Sequence, residues 1–332
     1  MTRLDAKLDR IRKGQYRRSD FIIADAKDPD MGPGLWASGP AREPDGSWTR
    51  YRTRAEFLDQ IRAIVRQDIV DVMLASLGNL ELLAAEGLFA GHAVKPAIRA
   101  NDTTDIWMVR GGRYAKHPSR PFRTASLARA REAGIDLGLY SMTFNNDRDA
   151  DVATLEAYGR FREEAGALGF RHFLEVFNPN VETGIAAEML PHFINDCIVR
   201  ALAGVAAAER PSFLKIVYNG PKALEELAGW DSSLIVGILG GSAGTTRDTF
   251  ELLSQAERYG ARVALFGRKI NLAESPLAIV ALMHEVAGGN VAPEEAVRAY
   301  HAKLREAGIK ALRPLEEDLA ITEPMLKAGA AA

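Results

Sequence analysis

The chain has 332 residues but only one cysteine, Cys197, so an intramolecular disulfide and a cysteine-based zinc site are both excluded. No stretch approaches the roughly 18 apolar residues of a transmembrane helix, and the charged N-terminus lacks the apolar core of a secretory signal. The 42 basic and 44 acidic residues give a net charge of −2, which excludes an overall attraction to nucleic acid. We therefore expect a cytoplasmic protein without nucleic-acid or membrane partners.

The six histidines are scattered along the chain and form neither an HxH nor an HExxH motif. Catalytic metals in proteins are held by clustered histidines and carboxylates. The sequence therefore argues against a metal-dependent hydrolase or a zinc aldolase, and we expect no metal and no other cofactor.

Eight short apolar runs, rich in β-branched residues, alternate with longer helical patterns. Glycines stand where helices should end and return to the next strand, at Gly134, Gly169 and Gly260. Helical periodicity is clearest at 149–168, 184–208, 246–259 and 275–287. The runs predicted to be strands are 21–26, 69–76, 95–101, 135–142, 171–178, 212–218, 234–240 and 263–267.

This repeat predicts an α/β protein with a single (β/α)8 TIM barrel over about residues 20–290. A short N-terminal helix should precede the barrel, and a helical extension over 292–332 should follow it in the same domain. A doubly wound sheet is the alternative, but eight units without a break in rhythm favour a closed ring.

Two unusually long connections, 27–54 and 102–123, each follow a predicted strand, so they should lie at the C-terminal rim where barrels bind ligands. Two interpretations of the second loop stay open: a lid that holds an anionic ligand, or a contact in a homo-oligomer. The basic residues of this loop are Arg110, Arg113, Lys116, Arg120 and Arg123.

Glu175 and Lys215 are ionisable residues inside otherwise apolar strands, 40 residues apart. Because 40 residues make one βα unit, the two strands should be neighbours and the side chains should face each other. Burial disfavours the ammonium form of a lysine, and a neutral amine attacks carbonyls to give a Schiff base, with a carboxylate to move protons. The alternative is a buried structural salt bridge.

The last two strands are followed by residues that suit an anion. Small residues before a helix expose backbone N–H groups, and arginine binds phosphate through paired hydrogen bonds. We predict a phosphate site at Gly241, Ser242, Ala243, Gly244, Gly267 and Arg268. Plain turns are the alternative for the glycines.

Other candidates for ligand contacts stand on the first, third and fourth strands. Asp25 is predicted to bind a sugar hydroxyl or to assist proton transfer, and Lys27 to contact substrate, with a rim ion pair among Asp25, Lys27 and Asp28 as the alternative. Arg99 is predicted to bind substrate, and Tyr140 to donate its hydroxyl to substrate, although packing is the more common role of such a tyrosine.

The segments LEVF around Glu175, FLKIVYNGP around Lys215, GGSAGTTRDTFELLSQAERYGA and LFGRKI resemble the class I (Schiff-base) aldolase superfamily. Within it, the chain is most similar to tagatose 1,6-bisphosphate aldolases and sulfofructose-phosphate-type aldolases. The resemblance implies that Lys215 forms the Schiff base, Glu175 is its acid/base partner, and Asp25 and Lys27 line the carbonyl end of the substrate. It also implies that residues 242–244, 267 and 268 hold a phosphate.

Two positions depart from the family pattern, since Asp136 stands where an early fourth-strand lysine is frequent and Ala26 where glutamine commonly follows the aspartate. Both differences concern substrate contacts, so a monophosphate or a sulfonate is favoured over a bisphosphate. The expected function is a lyase that cleaves or forms a carbon–carbon bond in a phosphorylated ketose. The alternatives are a non-catalytic phosphosugar-binding barrel and a phosphosugar isomerase or epimerase.

Overall fold

The computed structural model describes residues 2–240 and 244–330, and eight parallel strands in it close into a barrel. The strands are β1 Ile22–Lys27, β2 Val72–Ala75, β3 Lys95–Arg99, β4 Leu137–Thr143, β5 Arg171–Phe177, β6 Leu214–Ile216, β7 Gly237–Leu239 and β8 Val263–Phe266. Each pairs with the next in sequence, and β8 returns to pair with β1. The predicted TIM barrel is therefore confirmed, and all eight predicted strands are present.

Helices follow the strands around the outside of the barrel. After helix α1 Arg3–Arg12, which precedes β1, they are α2 Arg54–Gln67, α3 Leu77–Ala85, α4 Leu127–Glu132, α5 Arg148–Ala167, α6 Leu190–Ala203, α7 Pro221–Trp230, α8 Thr246–Arg258, α9 Arg268–Leu272 and α10 Pro276–Ala287. None of the described helices is long and apolar enough to cross a membrane.

Three helices end at the glycines that the sequence marked. Gly134, Gly169 and Gly260 have φ angles of +79°, +57° and +106°, the left-handed region that glycine enters without steric cost. The helix predicted over 184–208 is wrong at both ends, since α6 runs only from Leu190 to Ala203. Pro191 fits only the first turn of a helix, and Gly204 follows the last.

The interior of the barrel is filled by alternate residues of the strands, because successive side chains of a strand point to opposite faces. On β1 these are Ile22, Ala24 and Ala26. Leu4 and Leu8 of α1 belong to the same buried cluster, so this helix closes the N-terminal end of the barrel. Ligands therefore have access from the C-terminal end of the strands.

The two long loops meet at that C-terminal end. The first contains a hairpin of Pro40–Arg42 with Trp48–Tyr51, and the second a hairpin of Asp102–Thr103 with Pro121–Phe122. A Cβ atom at Gly32 would lie only 2.9 Å from the Ile106 carbonyl oxygen, so glycine permits this close approach of the two loops.

Three further helices form the predicted C-terminal extension: α11 Pro293–Glu306, α12 Leu315–Asp318 and α13 Pro324–Ala330. The extension packs on α8, where the Tyr259 hydroxyl donates to the Gly329 carbonyl at 3.2 Å and the Gln255 amide donates to the Leu326 carbonyl at 2.8 Å. The extension therefore reaches the helix that follows β7, next to the predicted phosphate loop.

Candidate active site

Glu175 and Lys215 lie opposite each other on the neighbouring strands β5 and β6. Each lies two positions after an interior residue of its own strand, Phe173 for Glu175 and Phe213 for Lys215, so both side chains point into the barrel. The Lys215 Nζ atom is 2.5 Å from Glu175 Oε1, and the two residues are 6% and 1% exposed. The expected pair is thus brought together at the upper end of the barrel interior.

The other oxygen of Glu175 is held by fixed donors. Ser141 lies opposite Glu175 on β4, and its hydroxyl donates to Glu175 Oε2 at 2.6 Å. Arg99 of β3 donates to the same oxygen from Nη2 at 3.2 Å. One carboxylate oxygen therefore faces the lysine while the other fixes the orientation of the group.

Arg99 joins this pair to a second carboxylate, Asp28, which follows β1. The Arg99 Nε donates to Asp28 Oδ2 at 2.5 Å, and the Arg99 Nη1 donates to the Ser141 hydroxyl oxygen at 2.9 Å. Burial alone would raise the pKa of Asp28, but the charges of Arg99 and Lys215 outweigh it and hold this pKa below its usual value. Asp28 is therefore ionised, and the cluster balances two cations with two carboxylates.

We call these residues the cluster: Asp28, Arg99, Ser141, Glu175 and Lys215. Two of them were not predicted from the sequence as site residues. Asp28 appeared only as part of a rim ion pair, and Ser141 was not singled out. The alternation of side chains along β1 would have indicated Asp28, because position 28 continues the series of interior positions 22, 24 and 26. Among the described residues, no three His, Cys, Asp or Glu side chains converge as metal ligands would.

Asp25 and Lys27 lie on the opposite face of β1 from the cluster. Asp25 is in register with Met73 and Phe266, which belong to the core between barrel and helices. Its carboxylate is 3.1 Å from Lys27 Nζ, and both residues are fully buried. Burial raises the pKa of Asp25 and lowers that of Lys27. This placement corrects the expectation that the two residues line the substrate's carbonyl end.

Tyr140 also points away from the barrel interior. Its ring packs on Phe161 and Tyr158 of α5, with centroids 4.4 and 5.1 Å apart, and burial raises the pKa of its hydroxyl. The packing interpretation thus describes its position, and its neighbour Ser141 is the residue of β4 that reaches Glu175. Asp136, at the start of β4, pairs with Lys95 and lies at the closed end of the barrel.

The predicted phosphate site is only partly described, because Gly241, Ser242 and Ala243 lie outside the described residues. Gly244 precedes α8, while Gly267 and Arg268 begin α9. The first N–H groups at α8 are bonded to the protein's own carboxylates: that of Thr245 donates to Asp248 at 3.0 Å, and that of Thr246 to Asp318 at 2.7 Å. The N–H groups of Thr245 and Thr246 are thus used within the protein, and the phosphate site predicted at residues 241–244 stays a prediction.

Gly244 is required by this capping arrangement. A Cβ atom there would collide with Asp248 Oδ2, which caps α8 and also accepts from the Thr322 hydroxyl. We expect Gly244→Ala to lower the free energy of unfolding by about 1–2 kcal/mol, the usual cost of losing an N-cap. Chemical denaturation checks this. Gly159→Ala is the control, because Gly159 lies inside α5 and a Cβ atom there would meet only the Arg162 guanidinium, at 4.0 Å; it should stabilise by about 0.5–1 kcal/mol. Equal effects of the two changes would contradict the steric explanation.

Asp102, which follows β3, is a buried carboxylate near the cluster. Its Oδ1 has no hydrogen-bond partner among the described residues, and its Oδ2 accepts from the Thr124 hydroxyl at 3.3 Å. Burial raises the pKa of Asp102 from 3.8 to about 6, although the Arg99 charge opposes the change. The native carboxyl therefore keeps its proton to a higher pH than the carboxyl of the unfolded chain.

This raised pKa gives a stability effect of known sign. Between about pH 4 and pH 6 the native state binds more protons at Asp102 than the unfolded state, so stability falls as pH rises. Asp102→Asn removes this pH-dependent part of the stability. The unfolding free energy of the variant minus that of the wild type should therefore increase by on the order of 1–2 kcal/mol from pH 4 to pH 7. Urea denaturation across this range is the measurement, with the exposed Asp149→Asn as control. A difference that is independent of pH would contradict the assignment.

The loop 102–123 is anchored over the open end of the barrel. The Thr143 hydroxyl, at the end of β4, donates to Asp105 of this loop at 2.6 Å, and the Ser119 hydroxyl donates to the other Asp105 oxygen at 3.0 Å. The basic residues near its tip, Arg110, Arg113, Lys116 and Arg120, are exposed. A lid over an anionic ligand and an oligomer contact both stay predictions.

The chain matches no family model and no curated protein. Among solved structures, it is similar to an archaeal fructose 1,6-bisphosphate aldolase, with 16% identity over 86% of this chain and 99% of that one and a TM-score of 0.62. A Schiff-base-forming fructose-1,6-bisphosphate aldolase gives 17% identity, the same coverages and the same TM-score. A protein of Corynebacterium glutamicum gives 18% identity over 86% and 94% of the chains, with a TM-score of 0.59. At these identities the likeness shows a shared fold.

Proposed function

We propose that the protein is a class I aldolase that cleaves or forms a carbon–carbon bond in a phosphorylated ketose through a Schiff base on Lys215. The observation that carries the proposal is the 2.5 Å contact between Lys215 Nζ and Glu175 Oε1, inside the open end of the barrel. A buried lysine beside a carboxylate is the arrangement that carbonyl condensation needs, because the carboxylate can take and return the lysine proton.

The first step makes the amine nucleophilic. The Lys215 ammonium transfers a proton to Glu175 Oε1, while Ser141 and Arg99 hold Oε2 in place. The neutral amine then attacks the ketose carbonyl carbon to give a carbinolamine. Glu175 returns the proton to the carbinolamine hydroxyl, which leaves as water and gives the protonated imine.

The imine is the electron sink for bond cleavage. The hydroxyl group on the carbon of the scissile bond that lies farther from the imine loses its proton, and that C–O unit becomes the aldehyde as the carbon–carbon bond breaks. The pair of electrons from the broken bond moves into the imine to form an enamine. The ionised Asp28 is the second carboxylate of the cluster and is the group we assign to that hydroxyl proton. Protonation of the enamine carbon and hydrolysis of the imine then release the second product and the free lysine.

The substrate class rests on the loops after β7 and β8. Barrels commonly bind phosphate there, which supports a phosphate site at Gly244, Gly267 and Arg268, with the sequence positions 241–243 that precede Gly244. The sequence resemblance supports tagatose 1,6-bisphosphate or sulfofructose-phosphate chemistry. Arg99 is not part of this phosphate site, because all three of its nitrogens face cluster residues.

A non-catalytic phosphosugar-binding barrel is the second candidate, and one observation favours it. Glu175 contacts three donors, Lys215, Ser141 and Arg99, as it would in a structural ion-pair network. Such networks also occur in proteins without catalysis.

Product detection separates them. The purified protein is incubated with a panel of ketose mono- and bisphosphates and a sulfonated analogue, and released aldehydes are captured with a hydrazine reagent. An aldolase releases an aldehyde and a three-carbon ketone in equal amounts from at least one compound. Calorimetric binding of a compound without any cleavage would support the binding barrel and contradict the proposal.

A further inference from the structure

A groove on the barrel rim has one cavity, lined by Arg42 and Lys310, that contains no residue assigned to the proposed reaction. It consists of two adjoining cavities of about 190 and 180 Å³, between the hairpin of loop 27–54 and the C-terminal extension. Both cavities are lined by Arg42, Glu274 and Leu312, so they form one continuous feature, which we call the Arg42 groove. The Lys310 N–H donates to the Pro44 carbonyl at 2.9 Å and ties its two walls together.

The lining of the Arg42 groove is strongly cationic. Three acidic residues, Glu43, Glu274 and Asp318, line it. Six basic residues also do, and these are Arg42, Arg52, Arg268, Lys269, Lys310 and Arg313. This local excess of positive charge occurs in a chain whose net charge is −2, so it is not a reflection of the overall composition.

Arg42 and Arg52 have no carboxylate within ion-pair distance among the described residues. Arg42 donates only to the Gly46 carbonyl at 3.2 Å, and its buried Nε has no partner. Arg52 donates to the carbonyls of Ser38 and Asn271 at 2.9 and 3.3 Å, and its Nε and Nη2 donate to the Gln60 side-chain oxygen at 3.1 and 3.3 Å. Burial and the neighbouring charge of Arg42 lower the pKa of Arg52, although the charge of Glu56 opposes the change.

The acidic residues of the groove do not supply that anion. Glu274 accepts from the Tyr300 hydroxyl at 3.0 Å and from the Leu312 N–H at 2.7 Å. Asp318 accepts from the Thr246 N–H at 2.7 Å and contacts His301 at 3.0 Å. Lys269 donates to the Gly244 carbonyl, and burial lowers its pKa to about 8. Among the described residues, Arg42 therefore lines both cavities without a carboxylate at ion-pair distance.

We propose that the Arg42 groove binds a phosphate group in its 190 Å³ cavity, with Arg42 as its principal donor and Lys310 at its outer end. Guanidinium groups match tetrahedral oxyanions through paired, charge-assisted hydrogen bonds. Each cavity has the volume of several water molecules, enough for a phosphate and its hydration. The 190 Å³ cavity is separate from the proposed chemistry, because neither a cluster residue nor Gly244, Gly267 or Arg268 lines it, whereas Gly244 and Arg268 line the 180 Å³ cavity.

Binding of inorganic phosphate tests the proposal. Calorimetric titration at constant ionic strength compares wild type with Arg42→Gln and Lys310→Gln. The control is Arg50→Gln, since Arg50 lies on the same hairpin, is exposed and pairs with Glu56 at 2.7 Å outside the groove. Arg42→Gln should weaken phosphate binding at least about tenfold, the effect of losing one charge-assisted hydrogen bond. Lys310→Gln should weaken it less, and Arg50→Gln should leave it unchanged.

Lys215→Met should bind phosphate like wild type, so a failure of the aldolase proposal would not affect this result. If wild type binds no phosphate at about 10 mM, or if Arg42→Gln and Lys310→Gln both bind it with wild-type affinity, the groove is not a phosphate site. Two sources of the phosphate remain distinguishable by kinetics. A substrate's second phosphate would make Arg42→Gln raise KM for a bisphosphate only, whereas a separate effector would change the turnover of a monophosphate.

Discussion

Lys215→Met is expected to lower the rate of carbon–carbon cleavage by at least about 10⁴-fold, because removal of a covalent nucleophile eliminates the intermediate on which the reaction depends. The measurement is steady-state aldehyde release from whichever ketose phosphate the wild type cleaves. Methionine keeps the length and apolar stem of lysine, and Glu175 keeps its bonds to Ser141 and Arg99. The variant should therefore retain the circular dichroism spectrum of the folded protein.

The control for this variant is Lys27→Met. Lys27 is also fully buried, but it lies on the outer face of β1 and pairs with Asp25 rather than with Glu175. It should affect stability, since it leaves a buried carboxylate without its cation, while the folded fraction should keep turnover within about tenfold of wild type. If Lys215→Met retained comparable cleavage, the Schiff-base mechanism would be wrong.

Glu175→Gln is expected to reduce turnover by about 10²–10⁴-fold, the usual contribution of a general acid–base group. Glutamine can still accept the Ser141 hydroxyl, but it cannot take the proton that lies between Oε1 and Lys215 Nζ. The loss should appear in kcat more than in KM, because proton transfer is needed for carbinolamine formation and dehydration rather than for binding.

A matched control for the carboxylate is Glu132→Gln, an exposed residue that pairs only with Arg129. It should leave kcat and KM unchanged. Full turnover in Glu175→Gln would mean that a different group moves the proton, and Asp28 would then be the next carboxylate to test.

The cluster is better explained by function than by stability. Four charged groups are removed from water within it, and desolvation of buried ions commonly offsets their mutual attraction. An apolar set of similar volume would fill the barrel with less cost, as it does in the layers formed by Leu137, Phe173 and Phe213 below. Retention of the charges at the open end of the barrel is therefore the expected arrangement for a reactive site.

The architecture follows from local sequence patterns. Apolar runs, helical periodicity and the three glycines with positive φ mark the βα units, and eight such units close the barrel. The contact of Glu175 with Lys215 follows from the same rhythm, since one unit separates them and the strands are in register. These properties depend on neighbours in sequence, which is why they could be predicted.

The side of each strand on which a residue lies was harder to predict. Asp25, Lys27 and Tyr140 stand beside the interior residues Ala26 and Ser141, and a shift of one position moves a side chain from the barrel interior to the helix layer. Applying the alternation of β1 would have selected Asp28 in place of Asp25.

The contact that Asp318 makes at the start of α8 could not be predicted from local sequence. The first N–H group of α8 is bonded to Asp318, 72 residues further along the chain. Only the packing of the C-terminal extension on α8 creates that contact, and no spacing or motif near Thr246 indicates it.

Reductive trapping tests the central claim most directly. The protein is incubated with dihydroxyacetone phosphate or a ketose phosphate, reduced with borohydride, digested and analysed by mass spectrometry. The account predicts one ligand-derived mass increase, on the peptide that contains Lys215, and its absence in Lys215→Met. Stable modification of a different lysine, or no modification by any carbonyl compound that the protein binds, would contradict it.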